Sequence, residues 1–415
     1  MKSAGILTTT IILLLFALLP YPSNMAESED AAVRPGIYTE ENPADVPSIT
    51  PVDTAVAGFL GQTEKGPLEP QFITSYEEYE EIYGGNPGNR FYLPDEVKGY
   101  FENGGTQLYV ARVVAKKAQL SNARLANYVK NVPTPILSDY IGNGNEDLGT
   151  LTGLQALGLI DEITILYSPE AHSIFGLYQA MIDQCENLGD RIVIMESPLY
   201  EMQPEPLERY ESSFAVYYSP WLKISQTSGG NRLVPPGGFI AGTYAKADTE
   251  RGVHKVPAAI ELIGVTGLER AIGKTEQNDL LWNRVNPIIQ MPGRGIMAYG
   301  ARTLTTDPEY TYVNVRRYLN YIDESISESL EYLAFESWSP TLNSKIQSGI
   351  EDFLLEEWRN GALLGSRQNQ AYYVNAYPGP VSQGGSAGHA ICIEVGVALI
   401  RPAEFHIVRT SIIVE

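Results

Sequence analysis

Apolar positions along the chain recur at two spacings, about two residues and about three and a half, and the alternation between them maps its elements. Residues 54–60 (TAVAGFL) form an apolar run of strand length, and 106–114 (TQLYVARVV) form another. Between them, 75–83 and 94–103 carry helical patterning. Ser75 stands where an N-cap belongs, and Gly104-Gly105 stop the second helix. Residues 115–150 are weakly patterned and predict a surface excursion. Residues 151–161 and a strand at 163–167 then open an α/β portion. A helix bearing Ile174, Leu177, Tyr178, Met181 and Ile182 follows, and then a strand at 191–195. Strand, helix, strand predicts parallel pairing through a crossover helix. Another strand within 214–224 leads through a loop at 234–238 to a small-residue helix at 239–246.

From residue 286 the pattern changes to long helices. Asp307-Pro308 opens one with Val315, Leu319, Ile322, Ile326, Leu330 and Leu333 on one face. After Pro340 a second carries Leu342, Ile346, Ile350, Phe353 and Leu354, and Gly361 ends it. Strands at 372–377 and 390–400 follow. In the latter, Ile391, Ile393, Val395, Val397 and Leu399 alternate with smaller or polar residues, which predicts one buried face. The chain closes on RPAEFHIVRTSIIVE, residues 401–415, an apolar and β-branched end. An open strand of this kind is a hazard unless another strand covers it. Its apolar parity changes: Phe405 and Ile407 are odd, whereas Val408, Ile412 and Val414 are even. A strand on one core does not change face without a bulge. Two pieces are therefore predicted, an inner one docking at home and an outer one, 408–414, for a neighbouring subunit.

Composition narrows the possible partners. The 415 residues suffice for two or three domains, and 44% hydrophobic with 19% charged content is that of a folded chain. The formal net charge of −21 argues against nucleic acid, whose phosphates call for clustered Lys and Arg. About half of that charge lies within residues 25–100. Cys185 and Cys392 lie far apart among apolar neighbours and predict buried free thiols, not a disulfide framework. At the front, Lys2 precedes an uncharged run at 3–21 whose dense core, 11–19, has the shape of a signal peptide. That run is short for a membrane span, so no stable membrane insertion is expected, and Met25 offers a second start.

Motifs that would carry chemistry fail on spacing or context. Gly273-Lys274-Thr275 lacks a glycine at the distance a phosphate loop requires, because Gly267 lies one residue too far upstream. Gly384-Gly-Ser-Ala-Gly388 matches the string of a nucleophile elbow, but a loop precedes it and a strand follows, the reverse of what an elbow needs. Gly293-Arg-Gly295 reads as a turn. His389 lies three residues before Cys392, which on a strand sends the two side chains to opposite faces, so neither a metal site nor a Cys-His dyad is expected. Tyr217-Tyr218 with Trp221, and Tyr372-Tyr373, read as core or interface anchors.

Several longer segments carry a family resemblance. Arg34-Pro-Gly-Ile-Tyr-Thr-Glu-Glu41, Gly58-Phe-Leu-Gly61, Tyr217-Tyr-Ser-Pro-Trp221, Val234-Pro-Pro-Gly-Gly238, Asn286-Pro-Ile288, Gly300-Ala-Arg-Thr-Leu304, Asn314-Val-Arg-Arg317, Gly361-Ala-Leu-Leu-Gly365 and Arg401-Pro-Ala-Glu-Phe405 resemble the tail sheath proteins of contractile phage tails and phage-derived injection systems. The likeness runs from Arg34 to the last residue; the apolar leader before Met25 departs from it.

The resemblance implies a multidomain α/β and α+β chain. A middle α/β domain of subtilisin-like fold, without protease motifs, would precede a C-terminal α+β sheath domain with exchanged terminal β-arms. The expected division is 1–24 leader, 25–53 arm and linker, 54–150 small outer domain, 151–285 middle domain and 286–415 C-terminal domain. The implied function is structural: hexameric rings stack into a helical sheath around an inner tube and contract to drive that tube through an envelope. No enzyme activity and no cofactor are expected. Expected partners are further copies of the chain, the tube protein, and baseplate and tail-terminator proteins. Ile37, Tyr38, Val408, Ile412 and Val414 are the candidate inter-subunit arm residues, and Lys345 and Arg359 are candidates to face the tube. Assembly in the bacterial cytoplasm, then residence in a phage tail or extracellular particle, is implied, with the signal-like leader leaving export open. The reading from another class is a secreted hydrolase of subtilisin-like fold, with Ser386 as its only candidate nucleophile.

Overall fold

A computed structural model of the chain describes residues 48–116, 134–226, 229–331, 340–379, 390–400 and 410–414. They fall into two compact units. One holds the described residues within 51–324 together with Ile400; the other holds those within 48–50, 325–399 and 410–414.

The first unit is built on a parallel sheet. Its core runs in the order β3 (Gln107–Arg112), β1 (Val56–Gly61), β4 (Ile165–Tyr167), β5 (Ile192–Glu196), β6 (Ser212–Ser219) and β10 (Val285–Met291). Each neighbouring pair in that run is parallel. Antiparallel strands finish it: β2 (Gln71–Ile73) beside β3, β11 (Gly295–Ala298) beside β10, and β12 (Thr303–Leu304) beside β6. Parallel strands need cover on both faces, and β4 and β5 are buried at every position.

Helices α1 (Tyr76–Tyr83) and α2 (Leu93–Glu102) cover one face together with α6 (Gly237–Arg251). The other face is covered by α3 (Leu137–Ile141), α4 (Gly153–Leu157) and α5 (Leu177–Leu188). The connections β1 to β3 and β4 to β5 run in opposite directions along the sheet. Right-handed crossovers must then lie on opposite faces, and they do. The chain reverses direction between β1 and β4, so their carboxyl ends flank the crevice where open α/β sheets hold their chemistry.

Local signals account for many boundaries. The Ser75 side chain accepts from the Glu78 backbone N–H at the start of α1. Gly293 and Gly295 take φ of 74° and 82° in the β10–β11 hairpin, the turn expected from their spacing. The helix at 239–246 starts earlier and extends to Arg251, and α8 (Val313–Leu330) begins only after a 3-10 turn at Pro308–Tyr310. A small antiparallel sheet of β8 (Asn231–Val234), β7 (Leu222–Ser225) and β9 (Val265–Leu268) was not predicted.

The domain division is corrected at two places. The boundary expected at 150/151 separates nothing, because β1 pairs with β3 on one side and with β4 on the other. The boundary expected at 285/286 falls at the first residues of β10, which extends the same sheet, and the unit continues to Glu324 within α8. Weak patterning marked an excursion from one sheet, not a joint between two bodies.

In the second unit, α8 ends and α9 (Pro340–Arg359) packs against β13 (Tyr372–Gly379). The short α10 (Gln368–Ala371) leads into β13, which pairs antiparallel with β14 (Ala390–Val397). β14 in turn pairs with β15 (Thr410–Val414), giving the order β13-β14-β15. Ile346, Ile350, Phe353 and Leu354 of α9 are buried as predicted, with Leu342 only half-buried. In β14 the predicted Ile391, Ile393, Val395 and Val397 are buried, but so are Cys392 and Gly396 on the other face, so the strand is covered on both sides and not on one.

Candidate functional site

The candidate features are a strand edge, a helix surface and a set of buried polar ties. The strand edge is β15. It stands in uniform register with β14, Ile412 opposite Ile393 and Val414 opposite Ile391, and it ends the sheet among the described residues. The sequence assigned 408–414 to a neighbouring subunit; in the single chain, 410–414 closes on its own β14. The physical reason is proximity, since an apolar strand without a partner chain takes the nearest open edge. Val408, Ile37 and Tyr38 lie outside the described residues, as does the whole of Gly384–Gly388 with Ser386 and His389.

The β14 strand that receives β15 is held from several sides. Tyr373 donates its hydroxyl to Glu394 Oε1 at 3.2 Å across the pair. Its ring lies over Gly396, where an added Cβ would meet ring carbon Cε1 at 2.0 Å, so a larger residue there would displace the Tyr373 ring. Backbone bonds from Leu364 N to the Ala398 carbonyl and from Ala398 N to the Ala371 carbonyl tie the strand's end to the segment after α9. Tyr372 donates to the Glu351 carbonyl on α9 at 3.0 Å.

On α9, Arg359 is exposed in the last turn, where a cation suits the helix dipole, and Lys345 is half-buried with an interaction of its own. The two sit almost four turns apart and so share one side of the helix, away from the buried line.

The buried ties lie in the first unit and use residues of the segments singled out in the sequence. Asn286 is fully buried; its side chain accepts from Arg302 N at 2.7 Å and donates to the Arg302 carbonyl at 2.8 Å. Asn314 donates to the His254 carbonyl at 3.0 Å. Arg317 donates through a fork to Asp248, at 2.9 and 2.5 Å, and to the Thr54 carbonyl at 2.7 Å, with its guanidinium over the Tyr244 ring.

At the crevice between β1 and β4 stands a group that sequence reading missed: Glu96, Glu170 and Glu196, all buried. Glu96 Oε2 accepts from Gly238 N at 2.7 Å, at the start of α6, and from the Tyr167 hydroxyl at 3.3 Å. Glu196 Oε1 stands 3.7 Å from His172 Nδ1, and the His172 ring meets Trp221 edge to face. Burial pushes all three carboxyls upward, Glu170 up to about 8. Each glutamate stands alone in its own segment, so no spacing in the sequence signals their meeting. The phosphate-loop string has a plain role. Gly273 precedes α7 (Lys274–Trp282), and the strand before it, β9, belongs to the small antiparallel sheet.

Two adjoining family descriptions match this chain: "Phage tail sheath protein central domain" over residues 160–304, and "Phage tail sheath C-terminal domain" over 305–413. Together they cover more than half of it. The chain belongs to the phage tail sheath family. This sheath chain is 30% identical over 128 residues to the tail sheath protein of Vibrio phage KVP40, a match covering 30% of this chain and 19% of that protein. It is 22% identical over 280 residues to a putative prophage major tail sheath protein of Pseudomonas aeruginosa strain UCBPP-PA14, covering 63% and 70% of the two chains. In three dimensions it is similar to the helical sheath of the anti-feeding prophage in its contracted state. There the TM-score is 0.67 and the identity 25%, over 91% of this chain and 99% of that one. The relatives it matches are structural sheath proteins, not enzymes. Among the described residues of this sheath chain, no helix is long and apolar enough to cross a membrane.

Proposed function

We propose that this chain is the repeating subunit of a contractile sheath, stacked as hexameric rings around an inner tube that the sheath drives through an envelope on contraction. The observation that carries this reading is β15. Family membership supplies the polymer, and an apolar C-terminal strand at a sheet edge, bonded to β14 through main-chain groups, supplies a joint that can pass between subunits. Two non-identical patches on one chain generate helical tubes instead of closed pairs. The N-terminal arm with Ile37 and Tyr38 and the C-terminal strand with Val408, Ile412 and Val414 would add to sheets of adjacent subunits. The proline-spaced linker at 42–51 would let bodies slide while the arms stay paired. Contraction is then release of a metastable lattice into one that buries more interface, with no nucleotide required.

The parallel sheet of the first unit, covered on both faces, supports the subtilisin-like assignment of the middle domain. Lys345 and Arg359 are proposed to meet an acidic surface of the tube protein. Baseplate and terminator proteins would cap the two ends of a sheath assembled in the bacterial cytoplasm. Deletion of Glu404–Glu415 tests the joint. We expect circular dichroism of a folded protein and, by negative-stain microscopy, discrete particles without tubes. Tubes of normal length from the truncated chain would overturn the arm assignment.

A further inference from the structure

We propose that Glu170 binds a proton in a closed polar pocket at the reversal point of the parallel sheet, and that losing this proton loosens the carboxyl ends of β1 and β4. This inference stands apart from the polymer reading and concerns the first unit alone.

Glu170 follows β4 by three residues and is 7% exposed, and its carboxyl meets main-chain N–H groups, at Gln62 and its own, with no cation beside it among the described residues. The end of β1 closes over it, since a Cβ on Gly61 would lie 2.8 Å from Glu170 Oε2. The Tyr79 hydroxyl from α1 and the Tyr140 hydroxyl from α3 are buried beside it.

The titratable groups facing Glu170 are Glu196 from β5, Tyr79, Tyr140 and Tyr167, with main-chain N–H support at Gln62. None of these is a cation. The nearby basic group, His172, stands against Glu196 and not Glu170. A carboxylate sealed away from water without a counter-charge is a poor occupant of such a site, and a neutral carboxylic acid is a good one. Burial accordingly raises the group to about 8, with main-chain donors pulling partly the other way and Glu196 adding to the rise. Once charged, Glu170 just after β4 faces the Glu196 carboxyl at the end of β5, and the repulsion strains the sheet where the end of β1 packs on Glu170.

The folded-state value lies above the ordinary glutamate value, so the folded chain holds a proton that the unfolded chain releases. The stability linked to this proton is complete below the ordinary value and is lost as pH rises to about 8. For one proton, the unfolding constant rises roughly tenfold per pH unit within that window.

The test is denaturant unfolding of the full chain from about pH 5 to about pH 9, followed by tryptophan fluorescence, for the natural chain and for Glu170→Gln. We expect the natural chain to weaken as pH rises and the variant to lose about one proton's worth of that slope, whatever Glu96 and Glu196 add to both. Equal slopes, or a natural chain whose stability does not fall, overturn the proposal. If the variant fails to fold, infrared spectra of the natural chain decide. A protonated-carboxyl band at neutral pH that titrates away near pH 8 supports the proposal, and its absence at neutral pH refutes it.

Discussion

Two adjacent arginines on α8, Arg316 half-buried and Arg317 buried, are held for different reasons. Arg316 lies over the rings of Phe214 and Tyr310 and bonds Asn320 one turn on. Arg317 neutralises Asp248 with both side chains almost fully enclosed, at 3% and 4% exposure. Removing one member of such a pair leaves the other charge stranded. Arg317→Ala should therefore cost about 3–5 kcal/mol of unfolding free energy in denaturant titrations. Arg317→Lys should lie between, because an ammonium cannot reproduce the fork that reaches Asp248 and Thr54 together. The motif Asn314-Val-Arg-Arg317 is visible in the sequence, but Asp248 lies in another helix, and nothing local connects them. Glu170 was hidden for the same reason. Its properties come from what surrounds it, and its surroundings come from five separate segments.

At the scale of elements, α9 carries the clearest exchange between pattern and surface. Its buried line of Ile346, Ile350, Phe353 and Leu354 leaves Lys345 and Arg359 on another side of the helix. Reversing both charges, Lys345→Glu with Arg359→Glu, should preserve the helical signal in circular dichroism. The Arg359 change removes a favourable dipole contact worth a few tenths of a kcal/mol, too little to unfold the helix. Co-sedimentation with the tube protein should fall at least about tenfold, and unchanged binding would assign the pair to an ordinary solvated face.

Long periodic elements such as α1, α5, α9 and β14 were legible in the sequence, with the Ser75 cap of α1. The strands β2, β7, β8 and β9 were not. At three or four residues each, they are too short for alternation to register, and their place depends on the neighbours they pair with.

At the scale of the whole molecule, a net charge of −21 per chain sets a condition on assembly. Identical acidic subunits repel, and salt screens that repulsion over about 10 Å at 0.1 M ionic strength. Sheath formation should therefore strengthen as ionic strength rises from low values, read as a falling critical concentration in sedimentation. A critical concentration that rises with salt over that range would show that attractive ion pairs between subunits dominate instead.

By itself the sequence determined the class of the chain, its family, the longer helices and strands with their buried faces, and the exclusion of phosphate-loop and nucleophile-elbow chemistry. The family rests on the resemblance of its motifs, and the rest on local spacing, which a linear chain displays directly. Tertiary structure alone decided that residues on both sides of a weakly patterned excursion share one sheet. It also decided that β15 closes on β14 in the single chain, that Arg317 meets Asp248, and that three glutamates converge at the sheet's reversal point. Each of these joins groups far apart in sequence, and such pairings follow from how strands order themselves in a sheet, which no local period encodes.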